Sequence, residues 1–225
     1  MNNLDKIYKR RFKSDSEFRN KMYQILCKEV FQKYIPKNAS VLDIAAGYCE
    51  FINSIKAKKK IALDIKADVK DHASKDVTTI KSTSTNMKMI KGSSIDLCFV
   101  SNFFEHITRD DIVKTIKEIN RVLKNGGKLL VLQPNIRYCY KDYWMFFDHI
   151  TPLDDRSITE ILEVNGFKVT EVKPRFLPYT SKGRLPKSAL LIKLYLKLPI
   201  LQYVVGQQAF IVAEKAKGST HDFSR

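Results

Sequence analysis

The sequence predicts an α/β fold built on a mainly parallel sheet, and three observations carry that prediction. Short apolar runs, VLDIA (41–45), KIALDI (60–65), IDLCFV (95–100) and GKLLVLQP (127–134), have the length and near-continuous hydrophobicity of strands buried on both faces. Helical patterns alternate with them, as in βαβ units. The chain of 225 residues, 44% hydrophobic and 28% charged, can close one core, and without repeats or low-complexity tracts it reads as a single domain.

In chain order, residues 14–34 come first. Ser14 three positions before Glu17 has capping-box spacing, and Met22, Ile25, Leu26, Val30 and Phe31 recur at helical intervals, so an amphipathic helix leads the chain. RDDIVKTIKEINRVLKNGG predicts a helix with Thr108 as cap, acidic residues in the first turn, Ile112, Ile116, Ile119 and Leu123 on one face, and Gly126 and Gly127 as its end. In SITEILEVNGF, Ser157 and Glu160 repeat the capping-box spacing and Gly166 is the stop. FKVTEV (167–172) and QAFIVAEK (208–215) are late strand candidates for the far edge of the sheet. The predicted divisions are a helical extension (1–36), a ligand-binding core (37–173), a basic amphipathic insertion (174–206), and a last strand with its tail (207–225).

The insertion contains RLPKSALLIKLYLKLPILQYVV, which is too short and too charged to span a bilayer. Lys193 and Lys197 are four apart, hence on one helical face, with Leu191, Leu194, Leu198 and Leu201 among the remainder. Two readings stay open: an interfacial helix on anionic lipid through residues 186–205, or a lid or homodimer helix packed on the sheet.

A net charge of +16 favours a polyanionic neighbour, whether nucleic acid, an anionic membrane surface or a phosphorylated substrate, though surface lysines also serve solubility. The charged start, MNNLDKIYKRRF, predicts no signal peptide and a cytoplasmic protein, peripheral at the inner membrane face if the basic segment meets lipid. Cys27, Cys49, Cys98 and Cys139 lack CxxC spacing, so neither a zinc site nor a disulfide framework is expected, and no metal is predicted.

Ligands of open α/β sheets sit beyond the carboxyl ends of the strands, which directs attention to the first loop, AAGYCEF. It offers Ala45, Gly47 and Cys49 where a dinucleotide loop wants several glycines, and Glu50 at the helix start would repel a pyrophosphate. Asp43 and Asp64, about twenty residues apart, suit ribose hydroxyls and an ammonium. S-adenosylmethionine has both groups, a sulfonium cation and no phosphate.

VLDIAAGYCEFINSI, IALDI, SNFFEHI, VLKNGGKLLVLQPNIRY, YWMFFDHITPLDDRSITEILEVNGF, PRFLPYTSKGRLP and LYLKLPILQYVVGQQAFIVAEK together resemble the class I S-adenosylmethionine-dependent methyltransferases, from about Tyr8 to Lys215. More narrowly, they are similar to a bacterial group found beside genes for surface-polysaccharide and sugar biosynthesis. The resemblance implies a Rossmann-like, mainly parallel seven-stranded sheet flanked by helices, with the extra amphipathic segment before the last strand. It implies S-adenosylmethionine as cofactor, S-adenosylhomocysteine as product, and a sugar or glycan intermediate, nucleotide- or lipid-linked, as acceptor. It places Asp43, Ala45, Gly47 and Tyr48 in the first cofactor loop, Asp64 on the ribose with Ile65 among the cofactor contacts, and Ser101 and Asn102 beside the cofactor after the fourth strand. Ala45 replaces a glycine, which is tolerable at negative φ. No acidic residue lies between Asp76 and Asp96, so Ser82, Thr83, Ser84 or a backbone carbonyl must take the adenine amino group.

Methyl transfer from a sulfonium is an in-line displacement, and a hydroxyl acceptor needs a base, for which histidine is the natural choice. Of His72, His106, His149 and His221, the candidates are His106, after the fourth strand, which with Glu105 could equally cap a helix or anchor the methionine end of the cofactor, and His149, in YCYKDYWMFFDHITP, which could instead be a packed, hydrogen-bonded histidine. Tyr138, Tyr143 and Trp144 suit stacking on a flat acceptor or filling the core, and Arg137 suits an acceptor phosphate or carboxylate or a salt bridge. Two other functions stay open. One is a nucleic-acid methyltransferase, although neither a [DN]PP[YF] motif nor a catalytic Pro-Cys occurs; the other is a non-catalytic cofactor-binding or membrane-docking module.

Overall fold

A computed structural model describes residues 16–179 and 188–217, together with Ile7. Ser14, His221 and the start of the basic segment therefore lie outside the described residues.

Seven strands form one sheet in the order β3-β2-β1-β4-β5-β7-β6. They are β1 (Ser40–Ile44), β2 (Lys59–Asp64), β3 (Val77–Lys81), β4 (Ile95–Ser101), β5 (Leu123–Pro134), β6 (Phe167–Leu177) and β7 (Gln208–Lys215). All pairings from β3 to β5 are parallel, and β7 runs antiparallel between β5 and β6. The strand order reverses between β1 and β4, which makes the carboxyl ends of these strands the natural crevice. β3 has no counterpart among the apolar runs, because VTTIK is a half-exposed edge strand that leaves the sequence pattern little signal.

Period-two alternation sorts the strand residues onto two faces. Val41, Ala62, Leu97, Phe99 and Leu130 point to one face, where they pack with helix α1 (Ser16–Glu29), Phe31 and helix α2 (Glu50–Ser54). Leu42, Ile44, Leu63, Cys98, Val100 and Val131 point to the other, covered by the helices Arg109–Val122 (α4) and Asp155–Val164 (α6). The short helices Val69–His72 (α3) and Ile136–Cys139 (α5) complete the central set. By the same alternation, Asp43, Asp64 and Ser101 all point to the α1–α2 face.

Thr108 caps α4 as predicted, its hydroxyl accepting from the Asp111 N–H at 3.2 Å. The helix stops at Val122 rather than at the glycines, because Leu123 already belongs to β5. The cap of α6 is also displaced from expectation: Asp154 is the N-cap, and Ser157 is the third helical residue that returns its hydroxyl to the Asp154 N–H at 3.0 Å.

The basic segment is two helices, α7 (Ala189–Lys197) and α8 (Pro199–Val205), rather than one. Pro199 has no N–H to continue α7 and suits the first position of the next helix. Ala189, Ile192, Tyr195 and Leu196 are the partly covered residues of α7, which packs against α1, and the Tyr195 hydroxyl donates to the Phe176 carbonyl at 2.9 Å. At the end of α8, Arg175 donates to the carbonyls of Val204 (2.7 Å) and Gly206 (2.9 Å). A Cβ on Gly206 would stand 2.6 Å from the Arg175 backbone, so only glycine permits this approach.

Candidate active site

The first loop is held in an unusual backbone. Ala45 has φ +56°, Gly47 +53° and Cys49 +61°. Ala45 is thus left-handed, not at the negative φ expected of a tolerated alanine, and a non-glycine residue there stores about 1–3 kcal/mol of strain. Asp64 pins the turn, its Oδ2 accepting from the Gly47 N–H at 2.9 Å and its Oδ1 from the Lys66 N–H at 2.8 Å. Asp43 is 4% exposed, and burial, with Glu50 and Asp64 adding like charge, pushes its carboxyl well above the usual range.

Helix α1 closes over this loop. Arg19 forks onto Glu50 Oε1 at 2.9 and 2.6 Å and stands 4.9 Å over the Tyr48 ring, and the His72 ring lies 4.8 Å from that of Tyr48. The Tyr23 hydroxyl meets Ser101 Oγ at 2.9 Å. Asn102 follows at φ +47°, exposed, its N–H on the Leu132 carbonyl at 2.8 Å and its amide on Ser101 Oγ at 3.1 Å. Ile65 is 65% exposed at the mouth of the loop. Ser84 turns inward to Thr115 (2.8 Å), and the Ser82 hydroxyl donates to the Asn86 carbonyl (2.7 Å), so Thr83, exposed beside Thr85, is the one of the three turned outward.

A second cluster stands at the carboxyl ends of β4 and β5. The Ile150 and Thr151 N–H groups both donate to the Glu105 carbonyl, at 2.9 and 3.2 Å, and the Thr151 hydroxyl donates to Ile107. These bonds tie residues 149–151 to 105–107 and bring the His106 and His149 rings to 4.9 Å, edge to face. His106 Nδ1 lies 3.0 Å from the Asp148 carbonyl and 3.3 Å from its carboxylate, and His149 Nδ1 lies 3.4 Å from the Tyr179 hydroxyl. Glu105 is 1% exposed, and burial pushes its carboxyl up to about 7 against the lowering effect of His106.

The chain matches the family described as a methyltransferase domain over residues 42–131, the stretch from β1 into β5 that includes Asp43, Asp64, Ser101, Glu105 and His106 but neither Arg19 and Tyr23 nor His149. It is 27% identical over 173 residues to a demethylmenaquinone methyltransferase of Staphylococcus carnosus, covering 62% of this chain and 72% of that protein. It is 29% identical over 167 residues to a ubiquinone/menaquinone biosynthesis C-methyltransferase of Rickettsia felis, covering 66% and 67% respectively. In fold it is similar to a SAM-dependent methyltransferase from Archaeoglobus fulgidus, with TM-score 0.67 at 20% identity over 91% of this chain and 99% of that one. The protein is a class I S-adenosylmethionine-dependent methyltransferase.

The loop of this methyltransferase fits its cofactor chemically. Asp43, Glu50 and Asp64 bring three carboxylates together with one guanidinium, Arg19, on Glu50, so a ligand bearing an ammonium and a sulfonium would relieve the charge that lifts Asp43. Glu50 is ion-paired, so the bare carboxylate expected at this helix start is half neutralised. Arg19 and Tyr23 were not legible as site residues, since their partners lie 31 and 78 positions away in sequence.

Three acceptor-side expectations need correction. Tyr143 is fully buried, its hydroxyl donating to the Thr151 carbonyl at 2.6 Å and its ring packed on His149 at 4.7 Å, so it positions that histidine and cannot stack on an acceptor. Trp144 is 59% exposed and touches Tyr143 edge-on at 5.1 Å. Arg137 takes the salt-bridge alternative, donating to both Asp155 oxygens at 2.8 and 3.2 Å. Tyr138 lies between the guanidiniums of Arg137 (5.1 Å) and Arg175 (4.7 Å), a cation–π sandwich rather than an open platform.

Proposed function

We propose that this methyltransferase acts on a hydroxyl of a sugar or glycan intermediate held at the rim formed by residues 103–107 and 143–151, with the proton taken up at the His106–His149 pair. The observation that carries this reading is the pair itself: two imidazoles edge to face at 4.9 Å, positioned by backbone bonds, on the crevice side of β4. S-adenosylmethionine supplies an electrophilic methyl group. Asp43 and Asp64 would accept from its ammonium and ribose hydroxyls, Ile65 would lie against the adenine, and Ala45, Gly47, Tyr48, Ser101 and Asn102 would line the space between. Burial around His149 excludes water from the proton transfer.

A second acceptor reading is C-methylation of a quinol ring, favoured by the names of the relatives above. It uses the same base, because removing a phenolic proton makes the ring carbon nucleophilic. Either acceptor can be lipid-linked or apolar, which agrees with a peripheral contact between α7–α8 and anionic membrane.

The test has two stages. Calorimetric titration with S-adenosylmethionine should give micromolar binding that falls at least tenfold in Asp64→Ala; equal binding by both proteins would sink the cofactor assignment. Incubation with methyl-labelled donor and either sugar nucleotides or a demethylated menaquinol, with the product analysed by mass spectrometry and NMR, then distinguishes a methyl ether from a ring methyl. Normal turnover by His149→Ala with cofactor affinity retained would remove His149 as the base, and normal turnover by His106→Ala as well would remove the histidine base altogether.

A further inference from the structure

We propose that Glu105, His106 and His149 bind one divalent cation at the carboxyl end of β4, in a site the sequence does not announce. One ligand atom from each lies within 4.8 Å of the other two. A cation about 2.1 Å from each would draw them to roughly 3–4 Å apart, a change that side-chain rotation can supply. The two imidazoles are already oriented as metal ligands usually are: Nδ1 of His106 faces the Asp148 carbonyl and carboxylate, and Nδ1 of His149 faces the Tyr179 hydroxyl. That leaves Nε2 of His106 turned towards Glu105, at 3.8 Å from Oε1.

A second and independent observation also points to a ligand. Glu105 Oε2 is buried without a hydrogen-bond partner among the described residues, and so are both amide atoms of Gln133, which is 1% exposed and stands beside Glu105 at the end of β5. Buried polar atoms left unpaired cost about 1–3 kcal/mol each, and since Gln133 and Glu105 lie close enough to interact but satisfy each other at most in part, the place suits a further polar ligand. Two imidazoles and a carboxylate, with open positions left over, suit a first-row cation such as Zn²⁺ or Mn²⁺. Two imidazoles, an amide and a carboxylate meet here, and the Asp148 carboxylate beside His106 adds a further negative group, which also favours a cation.

The use of such an ion rests on the methyl transfer proposed above but replaces its histidine base. A cation at this point would lower the pKa of an acceptor hydroxyl beside it, and the imidazoles would then hold the ion in place of acting as the base. The O–H proton leaves to water, the oxygen pair forms the new O–CH₃ bond, and the S–CH₃ pair stays on sulfur in S-adenosylhomocysteine.

The test is calorimetric titration of the full chain, stripped with a chelator, with ZnCl₂ and separately with MnCl₂. One-to-one binding of either ion, weakened at least tenfold in Glu105→Gln and in His149→Ala, is the expected result. No binding of either ion, or binding unchanged in these variants, would overturn the proposal. Circular dichroism checks each variant's fold, and His106→Asn, at a less buried position, stands in for any that fails to fold. Titration of the same samples with S-adenosylmethionine separates the two readings. Cofactor binding and chelator-resistant turnover without ion binding would refute the cation alone, whereas ion binding without cofactor binding would leave the site standing and remove the methyl-transfer role.

Discussion

Asp43 shows most directly how a site residue is maintained against the fold. It sits on β1 among the buried residues of the α1–α2 face, and both its burial and the neighbouring Glu50 and Asp64 raise its carboxyl above the ordinary value. A raised folded-state value means that the native protein holds a proton the unfolded chain has already lost, so stability is undiminished below about pH 4 and declines as pH climbs from there through the folded value. Asp43→Asn removes that penalty. The variant should therefore be more stable than the parent in urea at pH 8, with the difference vanishing near pH 3, and it should lose S-adenosylmethionine affinity. An unchanged difference across that range would show that Asp43 is not titrating with folding. The strand ends that carry Asp43 and Asp64 were legible in the sequence because strand periodicity and a twenty-residue spacing are local signals. Arg19, Tyr23 and the roles of Tyr143 and Arg137 were not, because each depends on a contact that only the closed fold makes.

Among the elements, the legible ones are those whose signal is carried by the segment itself. Helix α4 has its cap, its acidic first turn and its apolar stripe within one stretch, and it forms there. Helix α6 was found but its cap was misplaced, because Ser157 and Asp154 both belong to one reciprocal box and spacing alone does not say which residue opens it. Asp154 accepts from the N–H groups of Arg156 (3.1 Å) and Ser157 (2.8 Å), two donors the helix cannot satisfy internally. Asp154→Ala should lower stability by about 1 kcal/mol, read as a shift in urea midpoint with an unchanged slope, while Glu160→Ala, the partner the spacing suggested, should cost less. Equal losses would return the cap to Ser157. The break between α7 and α8 was visible in principle at Pro199, but continuous apolar spacing across it suggested one helix.

Across the whole molecule, the first loop and the apolar helix α7 are linked through α1, which meets Glu50 by Arg19 and Ser101 by Tyr23 and also packs against α7. The two late helices expose Leu190, Leu191, Leu194, Ile200, Tyr203 and Val204 to a degree that ordinary surfaces avoid, with Lys193 and Lys197 exposed among them. No helix among the described residues is long and apolar enough to cross a membrane, so the membrane contact proposed for this face would be with the bilayer surface. With a net charge of +16 behind it, the proposed contact would favour anionic lipid, and each lysine near such a surface would contribute about 1 kcal/mol. Sedimentation with phosphatidylglycerol vesicles should therefore pellet the parent protein at low salt, less at 0.5 M salt, and scarcely at all after Lys193→Glu with Lys197→Glu, a change of about four units of charge. Leu194→Ala with Ile200→Ala should weaken binding in a way that salt does not mimic, because the apolar contribution is unscreened. If the double lysine variant still pellets fully, charge is not what holds the protein to lipid. If instead the parent forms a concentration-dependent dimer and ignores vesicles, a second copy of the chain covers this face, and access to the acceptor rim is governed by subunit association rather than by the membrane.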